Sequence, residues 1–421
     1  MIGDTIFALS SGQPPAGIAV VRISGPEAGA ALTALCGTLP PPRFATHTRF
    51  RDPETGLALD DGLAIWFPGP ASATGEDVAE LHLHCGRAVV AAVLTCLAER
   101  PGLRAAYAGE FTRRAFENGR IDLAQAEGLA DLLAAETEGQ RQSALALAEG
   151  ALGRKVAVWQ AQLLRISAQI EAALDFSDED DVPAGDGIDG LAGLASDIAV
   201  LLAAPPAERL RDGVRIVLAG PPNSGKSSLF NEIVGRHAAI VTDIAGTTRD
   251  RIEAPVVLDG VPLLLIDTAG MRADVTDRVE AIGIGRTVEA LDAADIVMWL
   301  GAVDDMPDGA LLIAPKCDLG SPVPGLPVSV KSGVGLGSLR AELLSRARTL
   351  LPKSGSLALN ARHSAILREV KTELCAASES PDLLIRADHL RAARMNLDQL
   401  TGKAGVEDML DALFGTFCIG K

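Results

Sequence analysis

One segment restricts the fold of this chain more than any other: VRIVLAGPPNSGKSSLFNEIV, from Val214 to Val234. The apolar run at its start reads as a buried strand and the end as a helix, with G-x-x-x-x-G-K-S between them. Gly220 and Gly225 let the backbone curl so that N–H groups point at phosphate oxygens, and the positive end of the helix adds to the attraction. Lys226 is placed to reach β- and γ-phosphates and Ser227 to ligate Mg2+, with Asn223, Ser224 and Ser228 completing the loop. A glycine-rich turn with a chance lysine is the alternative, and strand, loop and helix in that order weigh against it.

The text around this loop repeats its pattern. VRIVLAG, VPLLLIDTAG, DIVMWLGA and ALLIAPKCD alternate with helical stretches after Gly213, which predicts a doubly wound parallel sheet. DIAGTTRD, Asp243 to Asp250, supplies Thr248 to complete a magnesium shell. DTAG follows a strand with Asp267 as magnesium-orienting carboxylate and Gly270 as γ-phosphate sensor, joined by Thr268 and Ala269. Together these motifs exclude most ATPases and predict GTP. Guanine is normally selected by N-K-x-D, and here the stretch is Pro315-Lys316-Cys317-Asp318. Asp318 can accept hydrogen bonds from guanine N1–H and the 2-amino group, and the Lys316 stem can cover the base. Proline offers no polar side-chain group for the other edge, so weakened affinity with guanine preference retained is expected. Ser329, Val330 and Lys331 begin SVKSGVG, a loop whose backbone would cap the base. GAVDDMPDGALLIAP, between Trp299 and Lys316, is short for a loop, helix and strand and suggests an eroded base-side wall.

At 421 residues the chain is too long for one core and suits two or three domains. IAVVRI at Ile18 to Ile23, LAIWFP at Leu63 to Pro68 and ELHLH at Glu80 to His84 read as strands, which makes the first segment α+β. Helical spacing takes over from about Gly119 to Phe176, is interrupted by the acidic DFSDEDDVPAGDG, and resumes from Ile188 to near Pro205. It returns beyond Leu351. The expected architecture is an α/β domain inserted in a discontinuous helical domain behind an α+β domain, with boundaries 1–118, 119–211, 212–350 and 351–421. A formal charge of −17 opposes diffuse nucleic-acid binding, so any RNA contact is local. Six scattered cysteines with no Cys-x-x-Cys argue against disulfide frameworks and zinc ribbons and fit a reducing cytoplasm. MIGDTIFALSSG has no basic region before an apolar core. No apolar run approaches the roughly 18 residues of a span, so neither secretion nor membrane crossing is expected.

His82 and His84 fall on one face of a strand, as a polar pocket wall or, with Cys85, as metal ligands. Arg113, Arg114 and Arg120 form a basic cluster that is either a solvated helix face or an anion contact.

Asn223 in the loop, DIAGTTRD, DTAGMR and the final FCIGK together resemble the MnmE (TrmE) family of tRNA modification GTPases. DTIFALSSGQPPAGIAVVRISGP, FPGPASATGEDVAELHLHCG and GEFTRRAFENGRIDLAQAEGLADL are similar to that family's folate-binding domain and first long helix. The resemblance implies a Ras-like P-loop G domain and a homodimer. With a flavin-dependent MnmG-type partner, such a protein adds an aminomethyl-type group to C5 of the tRNA wobble uridine. The one-carbon unit comes from a 5-formyl or 5,10-methylene tetrahydrofolate. Folate contacts carry over onto Arg22, Glu80, Arg120 and Lys421. Arg120 stands where the family has lysine and Ala73 where an aromatic is usual. Hydrolysis in the family uses K+ between two G domains. By resemblance it sits against Asn223 and oxygens of Thr242, Ile244 and Thr247, in a loop that includes Asp243, Ala245 and Gly246. Glu280 matches the residue that orients the attacking water. Cys418 is either a nucleophile toward uridine C6 or a small buried residue. A switch for ribosome assembly is a second reading, against which the N-terminal and FCIGK segments weigh. A scaffold with a decayed nucleotide site, motivated by Pro315, is a third.

Overall fold

A computed structural model describes residues 3–175, 188–237, 253–268, 289–320, 324–353, 355–403 and 407–420. The chain forms two compact units, one from residues 1–130, 147–158 and 397–421 and the other from residues 131–146 and 159–396.

The first unit is built on a six-stranded sheet in the order β3-β4-β5-β2-β1-β6. The strands are β1 (Thr5–Leu9), β2 (Ala16–Ser24), β3 (Thr46–Arg51), β4 (Ala58–Phe67), β5 (Val78–Cys85) and β6 (Leu103–Ala105). The three strands expected from sequence fall in β2, β4 and β5, with Pro68 just beyond the end of β4. β1 escapes notice because it is covered on both faces and so shows no alternation. Phe7 packs with Ile23, Leu81 and the helices α1 (Ala28–Cys36) and α2 (Arg87–Ala98), while Ile6 and Ala8 pack with Phe111. Phe111 belongs to α3 (Glu110–Glu117). α4 (Leu123–Ala134) buries Leu123 and Ala126 against Leu410, Phe414 and Phe417 near the end of the chain, so the FCIGK segment belongs to this unit.

The second unit contains the other six-stranded sheet, ordered β12-β11-β10-β7-β9-β8. These strands are β7 (Val214–Ala219), β8 (Glu253–Leu258), β9 (Val261–Asp267), β10 (Ile296–Trp299), β11 (Leu311–Pro315) and β12 (Leu326–Val328). The expected all-parallel sheet needs one correction: β8 runs antiparallel to β9 at the edge. Asp259 and Gly260 join them with φ of 49° and 76°, the doubly left-handed pair of a two-residue hairpin turn, which forces the chain back on itself. The remaining neighbours are parallel. Leu218, Leu265, Met298 and Ile313 share one core with Leu229 and Phe230 and with Leu339 and Leu343 of the helix Leu336–Leu350. Between β10 and β11 the chain makes a short 3-10 turn, Val303–Asp305, in place of a crossover helix.

Helical spacing elsewhere is realised as α5 (Glu138–Ala148), α6 (Ala151–Asp175) and α7 (Ile188–Leu202), and later as helices Ala361–Glu379, Leu383–Thr401 and Glu407–Gly415. α7 packs along Ala361–Glu379, burying Leu191, Leu194 and Ile198, whose three- and four-residue spacing makes one apolar stripe. The acidic stretch before α7 lies outside the described residues. One stretch departs from the expectation about apolar runs: Gly190–Arg211 is long and apolar enough to cross a membrane, with a window of mean hydropathy 1.5. Its buried stripe along α7 is the pattern of a bundle helix. Pro205 and Pro206 separate α7 from α8 (Ala207–Arg211).

Candidate functional site

β7 delivers the chain into the loop as the sequence requires. Gly220 has φ 143°, and a Cβ there would lie 2.6 Å from the Leu300 carbonyl oxygen at the end of the neighbouring strand, so only glycine fits. Asn223 is left-handed at φ 61°, and α9 (Lys226–His237) begins immediately after Gly225. Lys226 is buried, and its ammonium donates to the carbonyls of Gly220 at 3.0 Å and Pro221 at 2.8 Å. The loop is thus wrapped around its own lysine. The Ser224 hydroxyl oxygen is buried without a hydrogen-bond partner, a polar atom awaiting a ligand. Ser227 and Ser228 are exposed at the start of α9.

Gly220, Pro222, Asn223, Gly225, Ser228 and Thr268 help to line a cavity of about 520 Å³, with Lys226, Ser227 and Lys316. Thr268 is pinned by its hydroxyl, which donates to the Leu218 carbonyl at 2.8 Å, and this holds Asp267 and Thr268 buried beside the loop. On the base side, Lys316 is left-handed at φ 58°, and its ammonium donates to the Asn223 carbonyl at 3.0 Å. A Cβ on Gly225 would stand 3.8 Å from Pro315 Cβ and 4.0 Å from Lys316 Cε, so both residues border the phosphate loop. The Ser329 hydroxyl donates to Asp318 and holds its carboxyl below the usual carboxylate range, helped by the charge of Lys331. Ser329 is buried, and its own hydroxyl accepts from the Ser332 amide at 3.1 Å. The structure therefore gathers Asn223, Gly225 to Ser228, Thr268 and Lys316 at one cavity, with Ser224 in the same loop, Asp267 next to Thr268, and Asp318 two residues beyond Lys316 and fixed by Ser329. Thr242, Asp243, Ile244, Ala245, Gly246, Thr247, Thr248, Ala269, Gly270 and Glu280 lie outside the described residues. A magnesium-bound nucleotide fits this donor set: a loop of amides, a buried ammonium, an unpaired hydroxyl and an exposed serine at a helix start.

The first unit holds a second polar site. Arg22 and Glu80 face each other in register across β2 and β5 and pair at 2.8 Å. His82 approaches the other Glu80 oxygen at 3.3 Å, and the Arg22 guanidinium lies over the Phe111 ring at 5.8 Å. Sequence reading missed Phe111, which no local motif ties to Arg22. The three arginines of the expected basic cluster differ in setting: Arg114 is buried, Arg113 is half-buried and Arg120 is exposed. Arg114 is buried and pairs with Asp4 at 2.8 Å, Glu76 at 3.1 Å and Glu110 at 3.1 Å. Arg113 pairs with Glu117 at 2.9 Å and Asp411 at 2.6 Å. Arg120 donates to the Ser72 carbonyl at 3.1 Å. Burial pushes the carboxyls of Asp4 and Glu110 up, and the guanidiniums of Arg104 and Arg114 outweigh it, leaving both below their ordinary range. His84 pairs with Asp60 at 2.9 Å, which raises its imidazole pKa. No cluster of metal ligands occurs among the described residues.

Comparison with known proteins decides the family. A family model described as the MnmE helical domain matches residues 123–418, and one described as the GTP-binding protein TrmE N-terminus matches residues 5–120. A tRNA modification GTPase MnmE of Rhizorhabdus wittichii is 56% identical over 425 residues, covering 99% of this chain and 97% of that protein. Those of Novosphingobium aromaticivorans and Erythrobacter litoralis are 53% and 54% identical, each covering 99% of this chain and 100% of the relative. The chain belongs to the MnmE family of tRNA modification GTPases.

In this MnmE chain the C-terminal segment is tied to the sheet of the first unit. The Ser10 hydroxyl donates to the Gly420 carbonyl at 2.8 Å, and Ile419 bridges Ala108. Phe417 is buried in the cluster with Phe414, whereas Cys418 is exposed, which removes the reading of Cys418 as a small buried residue. Lys421 lies outside the described residues.

Proposed function

We propose that this MnmE chain is a K+-activated GTPase whose hydrolysis drives modification of the tRNA wobble uridine at C5. The observation that carries the GTPase part is the phosphate loop closed on Lys226, with an unpartnered Ser224 hydroxyl beside it. Lys226 exchanges its two loop carbonyls for β- and γ-phosphate oxygens when GTP enters. Ser227 and Thr248 would hold Mg2+, and Asp267 would orient its shell. Asp318 and the turn Ser329 to Lys331 receive the guanine. When bound, K+ supplies positive charge against the negative charge that builds on the β,γ-bridge. Asn223, Thr242, Ile244 and Thr247 would hold it, and Glu280 orients the attacking water.

The remainder of the proposal follows from family membership. Two copies pair through their first units. Arg22, Glu80, Arg120 and Lys421 hold a 5-formyl or 5,10-methylene tetrahydrofolate, and a flavin-dependent MnmG-type partner completes transfer of an aminomethyl-type group to tRNA. Cys418, exposed in the docked tail, is the candidate nucleophile toward uridine C6. The domain division at 1–118, 119–211, 212–350 and 351–421 and a cytoplasmic site of action belong to the same reading. GTP turnover measured in potassium and in sodium buffer tests it: a large excess in potassium is expected, and equal rates would remove the monovalent-ion mechanism.

A further inference from the structure

We propose that this chain selects its purine at N1–H and the 2-amino group through Asp318 and leaves N7 unread. This inference rests on the GTPase reading above. Pro315, Lys316 and Asp318 follow one another at the end of β11, where Lys316 lines the nucleotide cavity, and their chemistry differs sharply. Pro315 ends β11 and borders the phosphate loop at Gly225. Its pyrrolidine ring has neither a backbone N–H nor any polar side-chain atom, so it can donate nothing to a purine nitrogen. Lys316 turns its ammonium back onto the Asn223 carbonyl and leaves only its methylene stem along the pocket. Asp318 is the one acidic group of the three, and the Ser329 hydroxyl, helped by the charge of Lys331, holds its carboxyl below the usual range. A carboxylate with two acceptor oxygens matches two adjacent donors, which guanine offers at N1–H and the 2-amino group. Adenine offers no such pair, and hypoxanthine keeps only N1–H.

Among the described residues, no crossover helix forms a second wall beside Pro315. The crossover from β10 to β11 carries a 3-10 turn, Val303–Asp305, in place of a helix. Three amides of the Ser329 turn are spent internally, from Ser329 to the Val334 carbonyl, from Ser332 to the Ser329 hydroxyl and from Gly333 to the Ser329 carbonyl. The ligand class is therefore any nucleoside triphosphate with guanine's donor pair, whatever stands at position 7.

The test is displacement of a fluorescent methylanthraniloyl-GTP from the full chain by GTP, 7-deaza-GTP, ITP and ATP. 7-Deaza-GTP should displace within about twofold of GTP, while ITP, which leaves one carboxylate oxygen unmatched, should be weaker by about tenfold or more. In the variant Pro315→Asn, GTP should gain several-fold over 7-deaza-GTP. A tenfold penalty for 7-deaza-GTP on the unaltered chain overturns the unread N7 and leaves the GTPase reading standing. Failure of GTP itself to displace the probe, or ATP displacing it equally well, overturns both.

Discussion

The phosphate loop and the Arg114 cluster both bury a cation, and the chain brings different groups to each. Lys226 donates to two backbone carbonyls of a loop shaped by a glycine at φ 143° and an asparagine at φ 61°. Arg114 sits among carboxylates drawn from three places, Asp4 before β1, Glu76 before β5 and Glu110 on its own helix. A backbone shell is remade when a ligand arrives, because carbonyls are neutral and a phosphate oxygen competes well with them. An ionic shell resists exchange, since removing one partner leaves buried charge uncompensated. The first arrangement suits a site that binds and releases; the second suits a joint.

The sharpest way to break this contrast is to remove each cation. Lys226→Ala should lower GTP turnover by about two orders of magnitude or more, with the melting temperature nearly unchanged. A variant that keeps normal turnover, measured by phosphate release, would mean that the loop is not the hydrolytic site. Arg114→Ala should do the reverse. It should destabilise the first unit by about 3 kcal/mol, seen calorimetrically as a lowered transition, with GTP turnover per folded molecule unaltered. Lost turnover in a folded Arg114→Ala protein would make the joint part of the active machinery.

A milder probe is pH. Asp4 and Glu110 have folded pKa values below their unfolded ones, so their stabilisation is complete above about pH 5 and disappears as pH falls through the lowered values. The calorimetric transition of the first unit should therefore weaken below about pH 4, and less so in Arg114→Ala. A transition that is flat down to pH 3 would show that these carboxylates are not held as the structure places them.

The same contrast explains what could be read in advance. The phosphate loop is written in eight consecutive residues, because strand, left-handed turn and helix start must follow one another in space as in sequence. β7, β9, β10 and β11 were equally legible as apolar runs. The ionic joint was not, since Asp4, Glu76 and Arg114 meet only through folding and no spacing links them. Arg113 and Arg114 looked like a cluster for anions because their carboxylate partners lie far off in the chain or, as with Glu110 and Glu117, one turn away on the same helix. β1 was hidden by burial on both faces. The antiparallel β8 was overlooked although Asp259-Gly260, a strong hairpin signal, was present in the text.

Nucleoside analysis of tRNA from cells whose only copy of this chain carries Lys226→Ala joins the phosphate loop to the wobble position in one experiment. Loss of the C5 substituent from the wobble uridine, with the variant protein present at normal abundance, is the expected result. Wobble uridines modified as in the unaltered strain would contradict it.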